Sequence, residues 1–508
     1  MEQARCSLEW PEWEKAIQSE LAQLREKGTW KLVEKPKNAI LISNKWVLTK
    51  KRDKEGNVIK YKARLVAHGF TQCLGLDYDE TFSPVVHFET IRALLAMVAG
   101  KKLKVRQLDV KRAYLNGILT QPIYMEQPIG FEDGSGLICL LIKSIYGLKQ
   151  AGWVWNIEFN QAIQRLGFRA LILDVCTYIL HDGDDFITIT VWVNDLLLFA
   201  TTEELIEWMK AGLEAEWELT DLGEPVKIVG IEITLSDCSI TISQHRYLES
   251  ILQKEHMDKA NAVGMPLDPN VVLEPNLDGS AGDQSNSYAR LIGELQFVAN
   301  ATRPDIAHAI SRLSSYTVNP TMQHVSALKR VLRYLSGTRL YGITYGDILG
   351  HPNPFLRYAD AAFTNLDEQK STTGYIFMMA GGAITWHSKK QSITALLSTE
   401  AEYIALSEAV HEAQWLRNLF KELGFRQTLP TMILGDNKGS IAMTKNPQFH
   451  KRAKHIDLQY HSIRELVQEG EIIIKSCRSH SQTADVLTKP LPQAKHKQHT
   501  AEMGLALA

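Results

Sequence analysis

Apolar residues recur at helical spacing in the first 28 residues, where Ala16, Ile17, Leu21 and Leu24 share one face and Gly28 closes the segment. From Thr29 the pattern changes to alternation. TWKLVEKPKNAILISNKWVLTKKRDKEGNVIKYKARLVAHGF reads as strands, with Glu55-Gly56-Asn57 as a hairpin turn. ETIRALLAMVAG predicts a helix, VRQLDVKRAYLNG a strand that runs out by Gly117, and SIYGLKQAGWVWNIEFNQAIQRLG a loop entering an amphipathic helix that stops at Gly167. In ITITVWVNDLLLFA two apolar, β-branched runs flank Asn194-Asp195. That pattern predicts a hairpin with a polar two-residue tip, just past an exposed Trp192. A helix from Thr202 to about Trp217 follows.

MPLDPNVVLEPNLDGSAGDQSNS, from Met265 to Ser287, is dense in Pro, Gly, Asp, Asn and Ser and reads as a linker. Helical spacing returns after it, broken at Arg303-Pro304 and Asn319-Pro320. From Phe355 a second mixed α/β unit extends nearly to the end. A chain of 508 residues exceeds what one core holds, and typical domain sizes imply about three domains.

Composition narrows the class only a little. An apolar fraction of 45% and a charged fraction of 22% are ordinary for a globular protein. No apolar run is long enough for a membrane span, so no membrane partner and an intracellular location are expected. The acidic, amphipathic start fits neither a signal peptide nor a transit peptide. Six cysteines without CxxC or paired spacing argue against zinc and against a disulfide framework, and for a reducing compartment. The net charge of −2 predicts no polyanion partner, but the distribution adds something: basic residues concentrate at Lys45–Arg64, Lys101–Arg112 and His450–His455. Each patch alone reads as a solvated face; several, alternating with aromatic residues, point to nucleic acid.

Acids inside apolar runs are the candidate chemistry, because a buried charge is costly unless paired or metal-bound. Asp109 ends a strand, Asp195 sits at the hairpin tip, and Asp360 and Asp436 follow apolar strand-like runs. Glu402 has two readings. The stripe Ala405, Ala409, Ala413, Leu416, Phe420 extrapolates back onto it, which turns it toward the core. Thr399-Glu400-Ala401-Glu402 is also a capping box. Asp485 opens a last helix, where an acid ordinarily complements the dipole. Were Asp360, Glu402, Asp436 and Asp485 to converge at one end of a sheet, they would repel one another unless divalent cations lay between them. Oxygen ligands favour Mg²⁺ over zinc.

KWVLTKKRDKEGNVIKYKARLVAHGFTQCLGLDYDETFSPVV, QLDVKRAYLNG, YMEQPIGFED and SIYGLKQA resemble the reverse transcriptase of copia-type LTR retrotransposons. ATRPDIAHAISRLS resembles the connecting region of the same Pol polyproteins. STTGYIFMMAGGAITWHSKKQ, LSTEAEYIALSEA, GDNKGSIAMTKNP, KHIDLQYHSIREL and ADVLTKPL resemble the ribonuclease H domain that follows it. The resemblance covers almost the whole chain in the expected order. It implies an α+β and α/β multidomain protein: a right-hand polymerase of fingers, palm and thumb, a connection region, and an RNase H-like α/β domain. The implied divisions are an N-terminal helix (1–28), fingers and palm (29–235), thumb and connection (236–350, with the linker at 265–287), and the RNase H-like domain (355–495).

The implied activities are RNA-directed DNA polymerase and RNA–DNA hybrid ribonuclease, acting on an RNA template, a DNA primer and dNTPs. The implied cofactor is Mg²⁺, two ions per active site, with Mn²⁺ as a substitute. In the palm, Asp109 matches the family's strand acid. The hairpin pattern Tyr-Val-Asp-Asp reads Trp192-Val193-Asn194-Asp195 here, so the first of two hairpin acids is an amide. Asp360, Glu402, Asp436 and Asp485 match the ribonuclease set, which makes Glu402 a metal ligand as well as, or instead of, a cap. Lys62 and Arg64 are the candidates for binding a nucleoside triphosphate, with exposed strand charges as their plain alternative. Further departures are GLKQAGW for GLKQAPR, which places Gly152 and Trp153 near the template path, VKIVGIEI for KYFLGIEI, and ADAAFTN for SDADWAG. Impaired polymerisation beside a complete nuclease set is one expectation. A catalytically inactive nucleic-acid-binding remnant or co-opted protein is the other.

Overall fold

The computed structural model describes residues 1–37, 39–52, 57–276, 285–346, 355–362, 370–392, 394–395, 397–445 and 457–508. The expected turn at Glu55-Gly56-Asn57, the centre of the linker and the basic patch 450–455 fall largely or wholly outside these residues. The N-terminal helical segment is a short turn, Glu2–Arg5, followed by the helix Trp10–Glu26. It buries Trp13, Ile17, Leu21 and Leu24 against a long two-stranded ribbon, Asn44–Arg52 with Val58–Ala67.

A six-stranded antiparallel sheet forms the centre of the first half. Its order is Leu219–Gly223, Lys104–Val110, Asp195–Ala200, Asp185–Trp192, Thr177–Asp182 and Arg169–Ala170. Leu196–Ala200 is wholly buried. An inner strand covered on both faces needs no alternation, which explains the unbroken apolar run. The helix Phe88–Lys101 packs against Ser239–Ser243, Tyr341–Gly346 and Gly382–Lys390, with ten of its residues buried, so it too lacks a polar stripe.

Four short strands between Lys227 and Gly346 are joined at the edge by the C-terminal strand Leu505–Leu507, paired to Tyr341–Gly346, to make a five-stranded sheet. The helices His245–Lys254, Ser285–Ala301, Ala307–Ser314 and Met322–Gly337 enclose a separate core. The first residues of Ser285–Ala301 lie inside the stretch that reads as linker. The last sheet runs Gly382–Lys390, Thr372–Met379, Phe355–Ala362, Thr431–Gly435 and Ile472–Ser476, with its final two pairings parallel. The 25-residue helix Ser398–Glu422 covers it, and the stripe Ala405, Ala409, Ala413, Leu416 and Phe420 is buried as its spacing requires.

One apolar cluster runs without a break from the six-stranded sheet to the last one. Arg92 sits at their junction with 1% of its surface exposed. Its guanidinium donates to the carbonyls of Ile384 (2.6 Å), Asn300 (2.6 Å) and Ala301 (3.0 Å) and to the Glu89 carboxylate (3.0 Å). It also lies 4.0 Å from the centre of the Trp386 ring. A buried guanidinium is tolerable only when its donors are met, and here two elements distant in sequence and Glu89 of its own helix meet them. No helix among the described residues is long and apolar enough to cross a membrane.

Candidate functional site

The hairpin turns one residue earlier than its polarity suggests. Trp192 pairs with Asp195, which makes Val193-Asn194 the two-residue loop and Asp195 the first residue of its strand. Val193 adopts φ 58°, a left-handed conformation that is strained for a β-branched residue. Its carbonyl accepts from the Trp155 indole at 2.6 Å, and the Asn194 carbonyl accepts from the Val110 amide at 2.8 Å. Trp192 is half-buried rather than exposed, stacked on Phe88 with ring centres 6.3 Å apart.

Asp195 stands directly opposite Asp109 on the neighbouring strand. Two like charges in that register repel. Burial, and then the charge of Asp109, raise the Asp195 carboxyl above its ordinary range. The Asn194 amide donates to Asp109 Oδ1, so one carboxylate oxygen is already hydrogen-bonded by the residue that replaces an acid.

Lys62 and Arg64 occupy alternate positions on Val58–Ala67 and share one face of the ribbon. Arg64 lies 4.9 Å from the centre of the Tyr146 ring. Burial, then Arg64, lower the Lys62 ammonium, while the field of Asp109 opposes them. Lys62 is thus within electrostatic reach of Asp109. Two motif glycines make the ribbon's anchorage possible: a Cβ at Gly147, φ 93°, would meet the Ala67 carbonyl at 2.1 Å, and one at Gly69 would meet the Gly147 carbonyl at 2.1 Å. Only glycine fits either place.

The second site is built by register. Tyr358 pairs in parallel with Leu434, and two residues beyond each come Asp360 and Asp436, side by side. Glu402 reaches them from the first turns of Ser398–Glu422. Ligand oxygens of Asp360, Glu402 and Asp436 all lie within 4.8 Å of one another. The capping-box reading of Glu402 does not survive. The N-cap is Leu397, without a side-chain cap, and Thr399 lies inside the helix. Asp485 does not open a last helix either. It is buried in the short 3₁₀ turn Thr483–Leu487, ahead of the final helix Gln493–Glu502.

Asp485 joins the trio indirectly. Lys489 is 2.7 Å from Asp485 and 3.8 Å from Asp360, and the Thr488 hydroxyl donates to Asp360 at 2.6 Å. Burial pushes the Asp360 carboxyl up to about 7, against the pull of Lys489. Burial would raise Asp485 as well, but hydrogen bonds from Lys489 and Lys495 hold it below its ordinary range. Thr488, Lys489 and Lys495 escape a reading confined to acids, although Asp485 and Lys489 stand four residues apart, the spacing of a local ion pair. Oxygen donors at this separation suit a hard divalent cation. Among the described residues, this is the one group of three such donors able to share an ion. Asp109 and Asp195 are two, with an amide beside them.

The architecture is thus mixed α+β, with one carboxylate centre on an antiparallel sheet and another on a partly parallel one. A family model described as Reverse transcriptase (RNA-dependent DNA polymerase) matches residues 27–269. Over 495 residues the chain is 38% identical to the Retrovirus-related Pol polyprotein from transposon TNT 1-94 of Nicotiana tabacum, covering 95% of this chain and 37% of that protein. It is 33% identical over 310 residues to the transposon Ty5-1 protein YCL074W of Saccharomyces cerevisiae, covering 60% of this chain and 100% of that protein. The solved foamy viral protease-reverse transcriptase dRH in complex with ds DNA is similar at 13% identity and a TM-score of 0.47, over 92% of this chain and 70% of that chain. The chain belongs to the family of copia-type retrotransposon Pol polyproteins. It spans about a third of the length of the plant polyproteins it matches.

Proposed function

We propose that this chain is the RNA-directed DNA polymerase and ribonuclease H segment of such a polyprotein, with its nuclease centre complete and its polymerase centre weakened at Asn194. One observation carries this reading. Three carboxylates from separate elements meet within 4.8 Å in one centre, whereas the other has two carboxylates and an amide that occupies one of their oxygens.

Under this reading the ribbon is the fingers, the six-stranded sheet the palm, and residues 236–350 the thumb and connection. Residues 355–495 form the ribonuclease domain. Asp360, Glu402 and Asp436, with Asp485 beside them, would hold Mg²⁺ or Mn²⁺, and the donor set fits: all oxygen, partly buried, mutually repelling when empty. A pair of such ions supplies charge stabilisation for the attacking and leaving oxygens of phosphodiester cleavage. Lys489 and Thr488 keep the Asp360 and Asp485 carboxylates oriented, and Lys489 balances charge that the cluster would otherwise bear alone. In the palm, Asp109 and Asp195 would hold metal with the triphosphate, and Lys62 and Arg64 face the phosphates. Replacing one charged group in a phosphoryl-transfer site costs on the order of 3 kcal/mol, a rate loss of at least roughly a hundredfold.

The test of the nuclease half is Mg²⁺-dependent cleavage of an RNA–DNA hybrid, with Asp436→Asn as control. Cleavage no greater than that of the control defeats it. Primer extension on an RNA template, comparing the chain with Asn194→Asp, tests the polymerase half. The reading expects recovery on reversion.

A second reading has one observation in its favour. The Asn194 amide satisfies Asp109 without any metal, as a protein retained only for binding would allow. It expects salt-dependent hybrid binding without turnover.

A further inference from the structure

A cleft of about 980 Å³ opens between the helical core of residues 245–337 and the last sheet. That size is at the upper end of small-ligand sites, which run to about 1,000 Å³. Its floor is apolar, formed by Met257, Leu267, Leu273 and Met322 among others. Its charge is one-sided. Among the described residues that line it, six are cationic and one, Asp268, is acidic, although the whole chain carries −2. Asp268 takes Arg330 at 3.6 Å, and Lys489 is committed to Asp485 at 2.7 Å. Among the described residues, Arg312 and Arg333 donate to the backbone carbonyls of Leu273 and Asn261 and to no carboxylate. Lys329 and Lys370 are exposed, and Lys370 donates to the backbone carbonyl of Ser392.

The cleft stops one residue short of the acid cluster. Thr488 and Lys489, which line it, are the residues that contact Asp360. His308 also lines it. It is 8% exposed, and its Nδ1 meets no partner among the described residues. Burial pushes that imidazole down to about 4, so it is neutral at physiological pH and free to give or take one hydrogen bond.

An aliphatic floor, a cationic rim and one unpaired polar atom, set beside the acid cluster, suit a single strand: bases against the floor, phosphates on the rim. We propose that this cleft binds the single-stranded continuation of a nucleic acid whose duplex portion lies at the Asp360–Glu402–Asp436 cluster. The inference rests on the nuclease reading for the placement of the duplex, and on the cleft itself for the strand.

The experiment measures binding, not cleavage. Fluorescein-labelled RNA–DNA hybrids, blunt or with a short single-stranded extension at either end, are titrated with the full chain in chelator, and anisotropy is read across a salt series. The wild type binds one extended hybrid about tenfold more tightly than the blunt one. The double variant Lys329→Glu/Lys370→Glu loses that preference while its affinity for the blunt hybrid holds. Its salt slope on the extended probe falls by about 1.4, as expected for two phosphate contacts to a single strand. The milder Lys329→Ala/Lys370→Ala pair shows the same direction, which excludes misfolding by charge reversal. Equal affinity of the wild type for blunt and extended hybrids overturns the proposal, and so does an undiminished preference in both variants. Preference through Lys329 and Lys370 in a chain that never cuts the hybrid would defeat the nuclease reading and leave the strand site standing.

Discussion

Asn194→Asp should change stability in a way that depends on divalent cations, and the structure sets the size. The Asn194 amide now donates to Asp109 Oδ1. Losing a hydrogen bond to a charged acceptor costs about 1.5–3 kcal/mol. The new carboxylate would also stand beside Asp109 and Asp195, already set against each other across the strands. For charges about 4 Å apart, repulsion is about 1 kcal/mol in water and about 4 kcal/mol near a protein surface. The site is half-exposed, so the lower part of that range applies. The sum is about 3 kcal/mol in chelator, or roughly 6–12 °C in the melting of a unit of this size. Cation binding reverses it: at a hundredfold excess over Kd, a ligand stabilises by about 2.7 kcal/mol. The assay is calorimetry in EDTA and across a Mg²⁺ titration. Both chains carry Asp436→Asn to silence the other centre. If the variant melts with its parent in EDTA, or both respond equally to Mg²⁺, the amide is not what separates this site from a working one.

Four other outcomes follow from the packing. Arg92→Leu strands three carbonyls and Glu89 at the junction of the two halves and should cost about 3–5 kcal/mol by denaturant titration, with early proteolysis between the halves. Asp305→Asn leaves the wholly buried Arg303, now 2.6 Å from the Asp305 carboxylate, uncompensated, at a similar cost. Burial would raise the Asp305 carboxyl, but Arg303 outweighs it and lowers it. The pair's stabilisation is therefore complete above the unfolded value of about 4 and is lost as pH falls further, through the folded value. His308 behaves differently. Its unfolded form takes up a proton near pH 6.5 and its folded form only near about 4, so stability falls by about 3 kcal/mol as pH drops through that window. Denaturation curves of His308→Phe should lose that slope. Gly147→Ala should fail to fold or melt far lower, because the added methyl carbon meets the Ala67 carbonyl.

Much of this was written along the chain. The helix stripe ending at Phe420, the apolar run Leu196–Ala200 and the stop signals at Gly28 and Gly167 are local periodicities, and burial enforces them directly. Family motifs also singled out Asp360, Glu402 and Asp436, which meet, and Asp109 and Asp195, which stand opposite each other. Besides Asp485, which lies in a 3₁₀ turn rather than opening a helix, three local readings failed for one reason, which is that neighbours in space outrank neighbours in sequence. The polar pair Asn194-Asp195 resembles a turn, but pairing with Lys104–Val110 draws Asp195 into its strand and leaves Val193 strained in the loop. Trp192 looked exposed until Phe88 covered it. Glu402 had a plausible partner in Thr399, but the helix starts earlier and packing turns the acid onto Asp360 and Asp436.

The sequence alone determined the order of elements, the family and the identity of the acids, because those depend on residue type and spacing. Tertiary structure decided which acids meet. The pairing of Tyr358 with Leu434 brings Asp360 to Asp436, Lys489 bridges toward Asp485, and Arg92 joins halves some two hundred residues apart. Asn194 shows the division plainly. Its identity was legible from the first, but that its amide reaches Asp109 depends on a strand 85 positions away, and no local pattern carries that distance.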